Sequence, residues 1–309
     1  MKPEYLRRTA CPICDAPLSQ SDTAFKSTPA AEDVPFGRHG EFLSGYTSQR
    51  VFFSYNRCRQ CKGLYCPTYF SQQQLDLLYS RQAENMAEVP LPAREATHAA
   101  YIDILEKYAV PSGDYLELGP DIGLFARLFV GTAPNLKRLY FHEPNLEVHD
   151  ALRSNLDGRD IVVSSDVYRE AMNPPGKVAM AVAIHVLDHL ISPESLLMAL
   201  SRDIAPGGLL FLVTHDERSL LARVLGRRWP PFTLQHPQLF SPHSIRILLR
   251  RCGFEMHEVA KSLNYFPIAH LIKAGLQVAG LPPIALPFGR GTGIGLRLGN
   301  IATVAYRAT

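Results

Sequence analysis

The sequence predicts an α/β protein: a doubly wound sheet of seven strands, preceded by a small N-terminal module organised by paired cysteines. Three observations lead there. From Tyr115 onward, short apolar runs alternate with helical patterns, as in a parallel sheet covered on both faces. The first of these runs ends in a glycine turn that opens a helix. Residues 1–70 lack helical periodicity and carry two Cys-x-x-Cys pairs.

Taken in order, residues 1–70 form the cysteine module and residues 71–110 a helical bridge. In the bridge, Ser71 can cap a helix over Gln72–Ser80. A loop with Pro90 and Pro92 follows, then a second helix over Arg94–Tyr108, with Ala100, Tyr101, Ile104, Leu105 and Tyr108 at helical spacing. Residues 111–309 hold the sheet. Its strands are predicted at Tyr115–Leu118, Leu139–Glu143, Ile161–Ser164, Val178–His185, Leu209–Val213, Phe254–Ala260 and Asn300–Arg307. The fourth is apolar almost throughout, as a central parallel strand should be. Ser192-Pro193-Glu194 starts one helix with a cap, a proline and an acid near the dipole. Ser241-Pro242 starts another, which stops at Gly253. Between strand five and that helix lies a connection, residues 215–240, too long for an idle loop.

The chain has 309 residues, 46% hydrophobic and 20% charged, enough apolar material for a sizeable core. Its formal charge of +3 and its lack of a long like-charge run do not suggest a nucleic-acid partner. The N-terminus lacks an apolar stretch behind its basic residues, so a cytoplasmic chain is expected. The apolar region Ile268–Phe288 is broken by Lys273, Pro282, Pro283 and Pro287 and makes a poor membrane span. The composition does not specify an oligomeric state.

Glycine in the turn of Tyr115-Leu-Glu-Leu-Gly-Pro-Asp-Ile-Gly123 lets the backbone approach a ligand. Glu143 ends the second strand 20 residues after Gly123, where an acid can accept hydrogen bonds from both ribose hydroxyls. A dinucleotide site would require a third glycine, and none follows. Residues 111–309 resemble the class I S-adenosylmethionine-dependent methyltransferases, with a Rossmann-like sheet. Glu117-Leu-Gly119-Pro-Asp121-Ile-Gly123 looks like that family's first motif and Phe141-His-Glu143 like its second. Ser165-Asp166-Val167 resembles the loop that meets the adenine amine. The segment from Ala183 through His185 to His189, and Ala205-Pro-Gly-Gly208, are similar to later family marks. The resemblance implies S-adenosylmethionine as cofactor, held by Glu117, Gly119, Asp121, Gly123, Glu143, Asp166, Val167 and His185. Asp121 departs from the motif, which has glycine there. Its side chain could crowd the methionine end or bind the amino group.

Cys11-Pro-Ile-Cys14 and Cys58-Arg-Gln-Cys61 can form two knuckles aimed at one tetrahedral site, a zinc ribbon with a structural ion and no open position. Cys66 is a rival ligand. The module resembles the N-terminal ribbon of methyltransferases that act on sugars and secondary metabolites.

Methyl transfer to a hydroxyl or a carbon also requires removal of a proton, which suits histidine near neutral pH. His185, His189 and His215 fall where the strand carboxyl ends converge. His189 is the leading catalytic base, though a structural role suits it equally. His236 shares the catalytic assignment, because the connection resembles the family's acceptor-side insertion. His215, Trp229 and Phe232 are expected to bind the acceptor, unless the two aromatics fill the insertion's own core. Tyr265–Phe288 could be a lid or a docked helix. The implied reaction is methyl transfer to a small molecule, a sugar or secondary metabolite, at oxygen first. The alternatives are a deoxysugar C-methyltransferase, an RNA methyltransferase gripping RNA through Arg7, Arg8, Arg50, Arg57, Arg59 and Lys62, and a non-catalytic binding module.

Overall fold

The structure is a computed structural model and describes residues 5–43, 45, 49–79, 88–168, 177–282 and 291–308. In chain order, the N-terminal part contributes strands β1 (Ser21–Phe25), β2 (Tyr55–Cys58) and β3 (Leu64–Tyr65), then helices α1 (Gln72–Tyr79) and α2 (Leu91–Leu105). There follow β4 (Gly113–Leu118), α3 (Leu124–Val130), β5 (Leu136–His142), α4 (His149–Asn155), β6 (Ile161–Ser164) and β7 (Val178–Ile184). The rest are α5 (Pro193–Asp203), β8 (Ile204–His215), α6 (Leu220–Leu225), β9 (Gln238–Leu239), α7 (Pro242–Arg251), β10 (Phe254–Lys261), α8 (Ile268–Ala279) and β11 (Asn300–Arg307).

The central sheet has seven strands in the order β10-β11-β8-β7-β4-β5-β6. β11 runs antiparallel to both its neighbours, β8 and β10, while the β4, β5, β6, β7 and β8 pairings are parallel. The order reverses between β4 and β7, so the crevice for a ligand opens at their carboxyl ends. One face of the sheet packs Leu116, Ala181 and Leu210 against α5 and α7; the other packs Tyr115, Met180 and Phe211 against α2 and α3. Every residue of β7 before Ile184 is buried, as a strand covered on both faces requires.

Two of the boundaries that differ from the sequence expectation have a local cause. α2 begins at Leu91 instead of Arg94, because Pro92 sits in the first turn, where a missing N–H breaks no helical bond. β8 begins at Ile204 because Ile204 pairs with Val178 across an irregularity before Leu209. α5 and α7 start on side-chain caps at Ser192 and Ser241, as their sequences indicated. The helix over Gln72–Ser80 is described to Tyr79; Ser80 lies outside the described residues.

The N-terminal module and the insertion share their structure. β9 of the insertion adds to β3, making a four-stranded sheet in the order β9-β3-β2-β1. One core holds Phe52, Phe53, Tyr55 and Tyr69 from the module with Trp229, Phe232, Leu234 and Leu239 from the insertion. Cys11, Ile13, Cys58 and Cys61 pack into the same cluster as Ile245 and Leu248 of α7. In the segment read as lid or docked helix, α8 has no buried residue, and residues 283–288 lie outside those described. Among the described residues no helix is long and apolar enough to cross a membrane.

Candidate active site

Gly119 and Gly123 both have left-handed backbone, with φ of 61° and 76°. A Cβ at Gly123 would stand 2.5 Å from the Leu152 methyl, so any other residue would have to displace that side chain besides adopting a strained backbone. Asp121 is left-handed as well, at φ 53°, a conformation that aspartate tolerates better than most residues. Its carboxylate is turned to Arg94 of α2, whose Nη2 donates to Oδ2 at 2.5 Å.

Glu143 closes β5 nearly buried. Its Oε2 accepts from the Asp121 backbone N–H at 3.0 Å and its Oε1 from the Asn145 N–H at 2.9 Å. The Glu143 carbonyl is held by His149, whose Nε2 donates at 2.7 Å. His149 was not singled out from sequence; its position at the head of α4, six residues on, was the available signal. Asp166 and Val167 are exposed in the turn after β6, and the Asp166 N–H donates to Ser164 Oγ at 3.1 Å. Glu117 is 2% exposed near the end of β4 and accepts from the Tyr115 hydroxyl at 2.8 Å. Burial, with Glu143 nearby, pushes its carboxyl up to about 8. A cation beside it, such as the amino end of the methionyl part of S-adenosylmethionine, would favour its ionised form.

Opposite the glycine turn, four imidazoles form one cluster. The His185 and His215 ring centroids are 4.7 Å apart, His215 and His236 4.9 Å, and His189 and His236 4.6 Å. His185 follows β7 with left-handed backbone, φ 54°. Its Nε2 faces Asn300 at 3.3 Å, and Asn300 is paired with His215 across β8 and β11. Asp188, fully buried in the turn after β7, accepts from His215 Nδ1 at 3.0 Å and from the His215 backbone N–H at 3.1 Å. Burial alone would raise the Asp188 carboxyl, but His215 and His185 hold it well below the usual range. Asp188 and Asn300 were not predicted as site residues, because each acquires its partner through the sheet.

Burial lowers His189 to about 4, aided by His215 and His185, and carries His236 well below its ordinary value. His236 Nδ1 donates to the Pro231 carbonyl at 2.7 Å. Trp229 and Phe232, expected to line the acceptor pocket, are 1% and 3% exposed and do not line an open cavity. Phe232 packs on Phe25, Phe52 and Tyr55, and Trp229 stands edge-on to His215 at 6.2 Å. The aromatics fill the core shared with the N-terminal module because that module covers the insertion.

The insertion and the module together hold the turn that carries Asp188. Gln238 of β9, fully buried, donates to the carbonyls of Leu187 and Leu190 at 3.0 and 2.8 Å, and Arg8 donates to that of Ile191 at 2.7 Å. The Tyr55 hydroxyl donates to the His236 carbonyl at 2.5 Å.

The two knuckles of the module are near copies. Asp15 and Lys62, each following a second cysteine, are left-handed at φ 62° and 60° and donate to the carbonyls of Cys11 and Cys58. Cys11 and Cys61 Sγ are 3.6 Å apart, as are Cys14 and Cys58, and all four sulfurs lie within 4.8 Å of one another. Thiolates at 2.3 Å around a tetrahedral ion would be separated by about 3.8 Å, so the four-sulfur set fits zinc. Cys66, the rival, is buried elsewhere and faces the Phe53 carbonyl.

Comparison with known proteins follows the same lines. A family profile described as a methyltransferase domain matches residues 93–259. The ubiquinone biosynthesis O-methyltransferase of Thiobacillus denitrificans is 24% identical over 168 residues, 51% of this chain and 71% of that protein. The enzyme of the same name from Burkholderia pseudomallei is 26% identical over 106 residues, 32% of this chain and 45% of that one. Two solved structures share the fold. One is a chain of the Haloferax volcanii complex between the Trm112 methyltransferase activator and a methyltransferase, with TM-score 0.52 and 15% identity, covering 70% of this chain and 92% of that one. The other is YcgJ from Bacillus subtilis, with TM-score 0.51 and 12% identity, covering 69% and 99%. Profile, sheet order and glycine turn agree, and the chain belongs to the methyltransferase-domain family as a class I S-adenosylmethionine-dependent methyltransferase.

Proposed function

We propose that this protein transfers the methyl group of S-adenosylmethionine to a hydroxyl oxygen of a small molecule, and that the N-terminal knuckles carry a structural zinc ion. The observation that carries the reading is the meeting, at the carboxyl ends of β4, β5, β7 and β8, of two nearly buried acids with a cluster of imidazoles. The acids suit a cofactor that is cationic at one end and a ribose in the middle. The imidazoles suit an acceptor that must lose a proton. The names of the Thiobacillus and Burkholderia relatives favour oxygen as the acceptor atom and a phenolic metabolite over a sugar.

When bound, S-adenosylmethionine supplies a methyl group on a sulfonium, so the protein mainly aligns the partners and excludes water. Glu143 would accept the ribose hydroxyls, releasing the Asp121 and Asn145 N–H groups it now holds. Glu117 would face the cationic end, Asp166 and Val167 would flank the adenine, and His185 would border the sulfur side. The acceptor would lie against His189, His215 and His236, with Trp229 and Phe232 supporting that wall from behind. Against the RNA reading, two of its six cations are paired with acids, Arg57 with Glu217 at 2.9 Å and Arg59 with Asp22 at 2.9 Å, and Arg8 and Arg50 are engaged by backbone carbonyls. Release of S-adenosylhomocysteine, measured over a panel of catechols, other phenols and nucleotide sugars, tests the proposal. Release with phenols is the expected outcome; release with none of the panel would overturn the acceptor class.

A further inference from the structure

We propose that His215 is the base that takes the acceptor's proton, and that the buried Asp188 is the positioning residue that holds His215 for it. The inference deepens the O-methylation reading and rests on it for the identity of the proton.

The argument begins with geometry. Asp188 Oδ2 receives two hydrogen bonds from residue 215, one from ring Nδ1 at 3.0 Å and one from the backbone N–H at 3.1 Å. The carboxylate is therefore fixed to ring and main chain together, and the ring cannot swing away from the end of β8. With Nδ1 donating, Nε2 keeps its lone pair, the form a base needs. Asp188 is fully buried, and its second oxygen has no hydrogen-bond partner among the described residues. His215 also keeps 18% of its side chain exposed at the sheet edge, so a small molecule can reach it.

The neighbours are less suited. His236 is buried and anchored to the Pro231 carbonyl. His185 has Nε2 against the Asn300 amide and Nδ1 3.9 Å from Asp188, beyond a hydrogen bond. His189, lowered to about 4 first by burial, is a weak base at neutral pH. In the step, the acceptor O–H bond breaks and its proton goes to Nε2. The electron pair left on oxygen forms the new O–C bond, and the C–S bond breaks with its pair going to sulfur. The imidazolium beside Asp188 then returns its proton to water.

Two measurements on the full chain test this. The first needs no acceptor: nitrogen-15 NMR of the imidazoles, comparing wild type with His215→Gln for assignment and with Asp188→Asn. The expected result is a His215 ring protonated on Nδ1, with that proton signal shifted or lost in Asp188→Asn. A ring protonated on Nε2 in the wild type overturns the dyad even if Asp188→Asn does not fold. The second is S-adenosylhomocysteine release with 3,4-dihydroxybenzoate as probe. His215→Ala should lower kcat by about 10²–10⁴-fold with cofactor affinity within about twofold, and added imidazole should restore part of the loss. Asp188→Asn should lower kcat far more than it changes KM. Wild-type turnover in His215→Ala overturns the proposal. So does a stoichiometric divalent ion bound by His185, Asp188 and His215, which would make His215 a ligand. If the wild type does not act on the probe, the phenolic reading fails, and the NMR result alone decides the dyad.

Discussion

At the scale of single residues, the two acids proposed for the cofactor site have different surroundings. Glu143 already accepts two backbone N–H groups, so its carboxyl group is oriented before any ligand arrives. Glu143→Ala should weaken S-adenosylmethionine binding by roughly 2–3 kcal/mol, through the loss of two charge-assisted hydrogen bonds. Unchanged affinity in calorimetry would remove Glu143 from the ribose site. Glu117 is pushed up to about 8 by burial, against an ordinary value of 4.5. Between those values the folded chain holds a proton that the unfolded chain has released, so this group makes stability fall as pH rises through that window. A cation beside Glu117 should drive the proton off. Binding of S-adenosylmethionine near pH 7 should therefore release up to about one proton, read from calorimetry in buffers of different ionisation enthalpy. Glu117→Gln should abolish that release; equal release in the variant would refute the assignment. Glu143 was legible in the sequence because an acid 20 residues past a glycine turn is a local pattern. The pairing of Asp188 with His215 was not, because 27 residues separate the two and two neighbouring strands bring them together.

At the scale of elements, the short strand β9 joins the cysteine module to the turn after β7. Its backbone extends the module's sheet, and its Gln238 side chain holds two carbonyls of the turn that carries Asp188 and His189. Gln238→Ala would leave those buried carbonyls unpaired, at a cost of about 1–3 kcal/mol. Turnover should fall while cofactor affinity stays near wild type, and a variant with normal turnover would show that the turn stands without the clamp. The same coupling should make the knuckles visible from the active site. Freshly purified, reduced protein should contain about one zinc per chain, and Cys58→Ser should lose it. Trp229 is the single tryptophan and is 1% exposed in the core that module and insertion share. Stripping the zinc should therefore shift its fluorescence to longer wavelength. Metal-free protein with an unshifted spectrum would separate the knuckles from the insertion.

At the scale of the whole molecule, residues 1–70 complete a core instead of decorating a finished domain. Removing them would expose Trp229, Phe232 and Leu239, and would uncover the face of α7 that packs on Ile13 and Cys61. Each such side chain contributes about 1.5–3 kcal/mol by burial, so together they are comparable with the margin of a typical domain. The truncated chain should be insoluble or should bind an apolar dye, and the intact chain should unfold in one calorimetric transition. A well-folded, cofactor-binding truncation would show that the sheet domain is independent.

The sequence by itself determined the class of the protein: the alternation of strands and helices, the glycine turn with its acids, and the two cysteine pairs are periodic or closely spaced, so each is set by its neighbours along the chain. It also pointed to the clustered histidines, because residues at strand carboxyl ends must converge on one edge of the sheet. The tertiary structure decided their surroundings. Burial lowered His189, and the shared aromatic core drew Trp229 and Phe232 away from solvent. The pairing of β7 with β8 placed Asp188 against His215. Burial and partnership depend on what the rest of the chain packs around a residue, and local pattern carries no record of that.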